Sequence, residues 1–218
     1  NEQRRAAMTQ QADGSATDKP WDARLAAALV RPLLGSSWVH PNHFTTIRLL
    51  VGVAGASAFA SGVWPNLAAL LVVLSNFLDH TDGEFARMSG KTSRFGHYYD
   101  LASDALVTVG LFAGIGIGLA QDDDSILEMV LGLLAGAAVA VIFHLRNQME
   151  SAHGKDATRQ PHWAGFEAED VLYLIPVVTL CGGLNWFLYA AAVGAPLACL
   201  LVAVSYLRVM REPRGYRA

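Results

Sequence analysis

Six apolar segments divide this chain, and most of them have the length of a helix that crosses a membrane. The sequence is 53% hydrophobic and only 16% charged, whereas soluble domains carry about 25% charged residues. About 20 apolar residues span the hydrocarbon core of a bilayer as one helix. The expected spans cover residues 42–62, 66–88, 95–119, 125–146, 170–181 and 185–208. The sequence therefore predicts an all-α polytopic membrane protein with six transmembrane helices.

The residues ahead of the first span have a different pattern. Residues 1–19 are polar, lack the apolar core of a secretory signal, and are expected to form a tail. After them, large apolar residues recur at every fourth position: Trp21, Leu25, Leu29 and Leu33. This spacing predicts an amphipathic juxtamembrane helix over residues 20–37, lying on the membrane surface. Residues 38–218 then form the six-span domain.

The basic residues sort to one side of this six-span arrangement. Every Lys and Arg falls in the N-terminal part, near the start of the first span, in the 87–94 and 146–159 links, or after residue 207. The opposite links, around residues 63–65, 121–125 and 182–184, contain none. The positive-inside rule then places both termini in the cytosol. The alanine- and glycine-rich composition suggests a bacterial inner membrane.

Four aspartates lie where the second span ends and the third begins, on the cytosolic side: Asp79, Asp82, Asp100 and Asp104. Spacings of three and four residues put each pair on one face of a helix. Carboxylates at membrane depth are costly, and four together repel one another unless cations bind. Carboxylates without His or Cys at ligand spacing suit Mg²⁺ or Mn²⁺. The pattern predicts a metal-dependent enzyme with its site open to the cytosol.

Small residues and one arginine accompany the aspartates. Gly83 and Ala86 follow Asp82 along the same helix, and Gly96 lies one turn before Asp100. Such positions let a bulky ligand approach the backbone, and Arg87 offers a bidentate fork to phosphate. The set favours a pocket for a metal-bound diphosphate. Helix packing through small residues would account for the glycines and Arg87 but not for four aspartates.

These eight residues form one motif, which resembles the full signature of the CDP-alcohol phosphotransferase family. Every signature position matches the family pattern in the run Asp79-x-x-Asp82-Gly83-x-x-Ala86-Arg87-x8-Gly96-x-x-x-Asp100-x-x-x-Asp104. The resemblance implies transfer of a substituted phosphate from a CDP-linked donor, often CDP-diacylglycerol, to an alcohol, with release of CMP. It also implies a homodimer. Beyond the lipid bilayer, the donor and the acceptor, no nucleic-acid partner is expected.

The resemblance also assigns roles to residues. The four aspartates would hold two divalent ions, and Asp104 would also be the general base that takes the proton of the acceptor hydroxyl. The nucleotide and donor site would be shaped by Gly83, Ala86, Arg87 and Gly96. Asn42 and Thr45 resemble the Pro-Asn and nearby Thr at the start of the family's first span, and are candidate donor contacts, although helix capping alone would explain Asn42. The acceptor and its binding residues stay unknown.

Several alternatives stay open at this point. A metal-dependent intramembrane prenyltransferase would also bind a diphosphate, and a carboxylate-lined cation channel or transporter would also carry aspartates. Arg48 is either a ligand of substrate phosphate or the partner of an acidic side chain. Glu84 is interpreted as a solvated or paired surface acid. The glycine rows at residues 110–118 and 132–136 could pack helices within one chain or between two.

Overall fold

The computed structural model describes residues 21–36, 38–123, 126–153 and 172–211. All regular structure within these ranges is helical, which confirms the all-α class. The helices are α1 (Trp21–Val30), α2 (Pro41–Ala60), α3 (Pro65–Ser89), α4 (Arg94–Asp123), α5 (Ile126–His153), α6 (Ile175–Leu180) and α7 (Leu184–Arg211), with a 3₁₀ turn at Arg31–Leu33. The expected tail at 1–19 and the start of the fifth predicted span lie outside the described residues.

Four helices in the described ranges are long and apolar enough to cross a membrane: Pro41–Ala60, Arg94–Gln121, Ile126–Ala152 and Leu184–Arg211. They match the first, third, fourth and sixth predicted spans. The second predicted span is the 25-residue helix α3, whose C-terminal half carries Asp79 and Asp82 and is less apolar. The fifth is present as the six-residue α6, which begins one residue before Pro176.

Local sequence signals set the helix ends around the aspartates. Pro41 and Pro65 occupy the first positions of α2 and α3, where the fixed φ of proline suits a helix start and no hydrogen bond is lost. Gly90 ends α3 in the left-handed region, with φ of 66°, a conformation that glycine adopts without steric cost. Residues 90–93 then form a short link, and α4 begins at Arg94.

The helices pack around α3 and α4. Helix α2 lies against both of them, α5 lies against α4 and α7, and the short helices α1 and α6 cover α3. The core is formed by buried apolar residues of five helices: Phe59, Ala68, Ala69, Val72, Leu111, Ile115, Ile175 and Leu188. In α1, Ala26 and Val30 are buried, whereas Leu25 and Leu29 are about half exposed. The leucine stripe of α1 thus faces away from the protein.

The glycine rows act within the chain. A side chain at Gly114 or Gly118 would overlap the backbone of α2 at Ala56 or Phe59. A side chain at Gly132 would likewise overlap the backbone of α4 at Phe112. Of the two alternatives left open by the sequence, intramolecular packing is therefore the one that these glycines serve.

Candidate active site

Three of the four aspartates form one group of oxygen ligands. Asp79 and Asp82 project from α3 and Asp100 from α4, and one carboxylate oxygen of each lies within 4.8 Å of the others. Asp82 is buried, while Asp79 and Asp100 are partly exposed. Helix α2 packs against both α3 and α4, and so holds the two helices that carry these aspartates in one assembly. Asp104 is one helical turn beyond Asp100 and lies outside the group of three.

Arg48 connects Asp104 to this group. The arginine belongs to α2 and is 2% exposed. Its Nη1 contacts Asp79 and lies 3.8 Å from Asp100 Oδ1, while its Nη2 lies 2.6 Å from Asp104 Oδ1. Of the two roles that the sequence left open for Arg48, the structure shows the partner of acidic side chains. A charge buried this deeply is tolerated only when opposite charges compensate it.

Thr45 lies one turn before Arg48 on the same face of α2. Its hydroxyl donates a hydrogen bond of 2.8 Å to Asp82 Oδ2, and the side chain is buried. In this structure Thr45 orients a candidate metal ligand, and its predicted contact with the CDP-linked donor stays a prediction. Helix α2 is itself held in place, since Ser75 Oγ of α3 donates to the Arg48 carbonyl at 3.0 Å.

The ligand set fits a hard divalent cation. Asp79, Asp82 and Asp100 offer only carboxylate oxygens, the ligands that Mg²⁺ and Mn²⁺ prefer. Asp100 Oδ1 is buried and accepts no hydrogen bond from any residue in the described ranges. A buried carboxylate oxygen without a donor is costly, and a metal ion would remove that cost. The residues present therefore fit the predicted metal.

The predicted small residues lie beside the aspartates, for reasons that differ. A Cβ at Gly96 would come within 2.9 Å of Asn42 Oδ1, so this glycine leaves room for the Asn42 side chain of α2 beside the start of α4. A Cβ at Gly83 would meet the Arg87 guanidinium at 3.5 Å, an ordinary contact. Ala86 is partly buried on the same helix. Gly83 and Arg87 thus share one surface of α3, and Gly96 and Asn42 form a contact between α2 and α4.

The structure places Glu84 in the interior, so its interpretation as a surface acid is wrong, although it is paired. It was expected at the surface, yet it is 2% exposed and accepts a 3.0 Å hydrogen bond from Arg87 Nη2. The physical reason is that α3 is covered by α1, α2 and α6, so a position off the aspartate face is still inside the protein. Glu84 thereby holds the guanidinium of Arg87, whose own side chain is 60% exposed.

Comparison with known proteins gives both a family and relatives. The family model described as CDP-alcohol phosphatidyltransferase matches residues 38–203. The archaetidylinositol phosphate synthase of Pyrococcus horikoshii is 32% identical over 100 residues, which are 44% of this chain and 52% of that protein. The bifunctional IPC transferase and DIPP synthase of Archaeoglobus fulgidus is 43% identical over 84 residues, 38% of this chain and 16% of that protein. The chain thus spans about half or less of the length of these relatives.

Solved structures share the fold. Mycobacterium tuberculosis phosphatidylinositol phosphate synthase (PgsA1) with CDP-DAG bound has a TM-score of 0.56 at 20% identity, and the match covers 91% of this chain and 98% of that one. The same enzyme in complex with manganese and citrate has a TM-score of 0.55 at 19% identity, covering 90% and 92% of the two chains. At these identities the likeness establishes the common helical architecture.

Proposed function

Because the chain belongs to the CDP-alcohol phosphatidyltransferase family, we propose that it transfers a phosphatidyl group from a CDP-linked lipid to an alcohol and releases CMP. The observation that carries the proposal is the group of three aspartates, within 4.8 Å of one another, on the signature positions. Family membership also sets aside the two alternatives raised by the sequence, a prenyltransferase and a cation channel or transporter.

One divalent ion, Mg²⁺ or Mn²⁺, would be held by Asp79, Asp82 and Asp100. Asp104 would help the other aspartates to hold a second ion. When bound, such ions neutralise the diphosphate and polarise the phosphorus that is attacked. PgsA1, solved in complex with manganese, supports this choice of metal. The rest of the chain positions the carboxylates, since Thr45 orients Asp82 and Arg48 contacts Asp79.

Asp104 would serve as the general base. Its side chain is 37% exposed and lies next to the group of three rather than within it. Arg48 Nη2 holds Oδ1, which leaves Oδ2 to accept the proton of the acceptor hydroxyl as the hydroxyl oxygen attacks phosphorus. The phosphorus–oxygen bond to CMP breaks as the new ester bond forms. A carboxylate held by one oxygen is already oriented for this transfer.

Gly83, Ala86, Arg87, Gly96 and Asn42 would form the donor site. Arg87 lies over Gly83, and its exposed guanidinium, held by Glu84, is suited to a phosphate of the donor. For Thr45 we propose orientation of Asp82 in addition to the predicted contact with the CDP-linked donor. PgsA1, solved with CDP-DAG bound, supports CDP-diacylglycerol as the donor.

We propose that residues 38–218 form a six-span catalytic domain with its site and both termini in the cytosol, in a bacterial inner membrane and as a homodimer. Four long apolar helices and the sorting of Lys and Arg to one side support this topology. The exposed Leu25 and Leu29 support an interfacial role for the helix expected over 20–37. Residues 1–19 would precede it as a polar tail.

The decisive experiment is CMP release by the purified protein in lipid nanodiscs. The reaction would contain CDP-diacylglycerol, one alcohol at a time, and Mg²⁺, Mn²⁺ or chelator. Inositol phosphate comes first in the panel because relatives carry names of inositol phosphate lipid synthases, followed by glycerol phosphate and serine. Metal-dependent release with one alcohol is the expected result. No release with any alcohol, nor with soluble CDP-alcohols as donors, would refute the proposed activity.

A further inference from the structure

Arg48 brings a positive charge into the middle of the carboxylates. The arginine is 2% exposed, and its two terminal nitrogens face three different aspartates, Nη1 toward Asp79 and Asp100 and Nη2 toward Asp104. Nothing in the eight-residue signature requires this arginine, since it lies on another helix, well before Asp79 in the sequence. Its role in the site therefore needs its own account.

Close packing against α3 and α4 fixes the position of the α2 backbone around Arg48. Ser75 Oγ donates to the Arg48 carbonyl at 3.0 Å. One turn further, a Cβ at Gly52 would come within 2.7 Å of Val107 and 2.8 Å of Ser75, so α2 is in close contact with both α3 and α4. Only the side chain of Arg48 has freedom to move relative to the aspartates.

We infer that Arg48 is a built-in counter-cation, which holds the carboxylates together in the metal-free protein and competes with divalent ions for them. The inference rests on the proposed function, because it requires a metal at these aspartates. Asp79 is both a contact of Arg48 and one of the three grouped ligands, so a guanidinium and a metal would draw on the same carboxylate. Without either cation, these partly buried carboxylates would repel one another.

Two other roles for Arg48 make different predictions. A ligand of substrate phosphate needs a guanidinium that is free to bind, whereas both terminal nitrogens of Arg48 face aspartates. A residue that merely shapes the metal site would weaken metal binding when it is removed. A counter-cation has the opposite effect, because its removal deletes both a competitor and a positive charge near a divalent ion. The direction of the change in metal affinity separates these roles.

The experiment compares Arg48→Met with wild type and with Arg94→Met, an exposed arginine at the start of α4 that serves as the matched control. Mn²⁺ affinity would be measured by titration calorimetry, and the unfolding temperature in chelator and in Mn²⁺. We expect Arg48→Met to bind Mn²⁺ about tenfold more tightly and to unfold at a lower temperature in chelator. Arg94→Met should bind Mn²⁺ with an affinity within about twofold of that of wild type. Unchanged or weaker affinity in Arg48→Met overturns the inference.

A second variant keeps the test decisive if Arg48→Met does not fold alone. Arg48→Met combined with Asp79→Asn removes one of the three carboxylates that Arg48 faces, so it should regain part of the stability lost in chelator. No recovery would mean that Arg48 acts through its bulk, and the inference fails. Wild-type protein that binds no Mn²⁺ refutes the metal site of the proposed function, whereas wild-type binding with unaltered affinity in Arg48→Met refutes only the counter-cation.

Discussion

Thr45 Oγ1 donates a hydrogen bond of 2.8 Å to Asp82 Oδ2, and this bond joins helices whose residues are 37 positions apart. Both side chains are buried, so the bond is protected from competition by water. A hydroxyl in this position fixes which way the carboxylate turns. It makes α2 part of the site, although every residue of the motif that identifies the family lies on α3 or α4.

Thr45→Val should therefore weaken the site without changing its packing, because valine has nearly the shape of threonine but no hydroxyl. Loss of a partner that orients a metal ligand typically costs 10–100-fold in metal affinity or activity. We expect a loss of that order in CMP release and a raised Kd for Mn²⁺, measured by titration calorimetry. Thr45→Ser keeps the hydroxyl and should retain most of the activity. Equal Mn²⁺ affinity in the valine variant and wild type would show that the bond has no such role.

Asp100 and Asp104 should respond differently to the same substitution. Asp100→Asn removes a ligand from the group of three, so both Mn²⁺ binding and CMP release should be lost. Asp104→Asn removes the proposed base and a ligand of the proposed second ion, so turnover should fall by at least about 100-fold while one Mn²⁺ still binds at the group of three. Single-turnover CMP release and calorimetry on both variants test this. Identical loss of metal binding in the two variants would contradict the separate roles.

The helices themselves could be predicted well because apolar length is a local property of the sequence. The family resemblance, also read from local spacing, is confirmed by the match over residues 38–203. Helix ends were less accurate. The fourth span was expected to stop at residue 146, where apolar residues end, yet α5 continues to His153. No glycine or proline interrupts residues 146–153, and polarity alone does not end a helix.

The contacts across helices could not be predicted in the same way. The spacing within each aspartate pair is local. Whether Arg48 contacts a substrate phosphate or a carboxylate depends instead on how α2 packs on α3 and α4. One signal was present, since a charged residue inside an apolar span needs a partner, and Arg48 follows Thr45 by three positions on one helix face. The burial of Glu84 had no local signal, because it depends on which helices cover α3.

Gly96 and Gly83 should differ when each is replaced by alanine. In Gly96→Ala the new Cβ would meet Asn42 Oδ1 at 2.9 Å, closer than such contacts normally allow, so the Asn42 side chain must turn away. In Gly83→Ala the neighbour is the mobile guanidinium of Arg87 at 3.5 Å, and alanine favours a helix interior by roughly 0.5–1 kcal/mol. We expect Gly83→Ala to raise the unfolding temperature, and Gly96→Ala to raise it less or to lower it, because Asn42 has to move. An equal rise in the two variants would contradict this account of the two glycines.

The proposed topology predicts which thiols are reached from each side of the membrane. Cys181 is exposed at the end of α6, on the side expected to face away from the cytosol, and Thr92 is exposed in the link between α3 and α4. In intact cells, a membrane-impermeant maleimide should label native Cys181. Introduced into a Cys181→Ser, Cys199→Ser background, Thr92→Cys should react only after the cells are opened.

Val63 supplies the matched control for this labelling. It is 67% exposed in the link between α2 and α3, so Val63→Cys in the same background should behave like Cys181. Labelling of Thr92→Cys in intact cells would place the aspartates on the outer face, where a cytosolic nucleotide donor could not reach them. Labelling of Val63→Cys and Cys181 from opposite sides would instead mean that the number of spans between them is odd. With six spans the number between them is four, because spans two to five separate the two positions, so both must react from the same side.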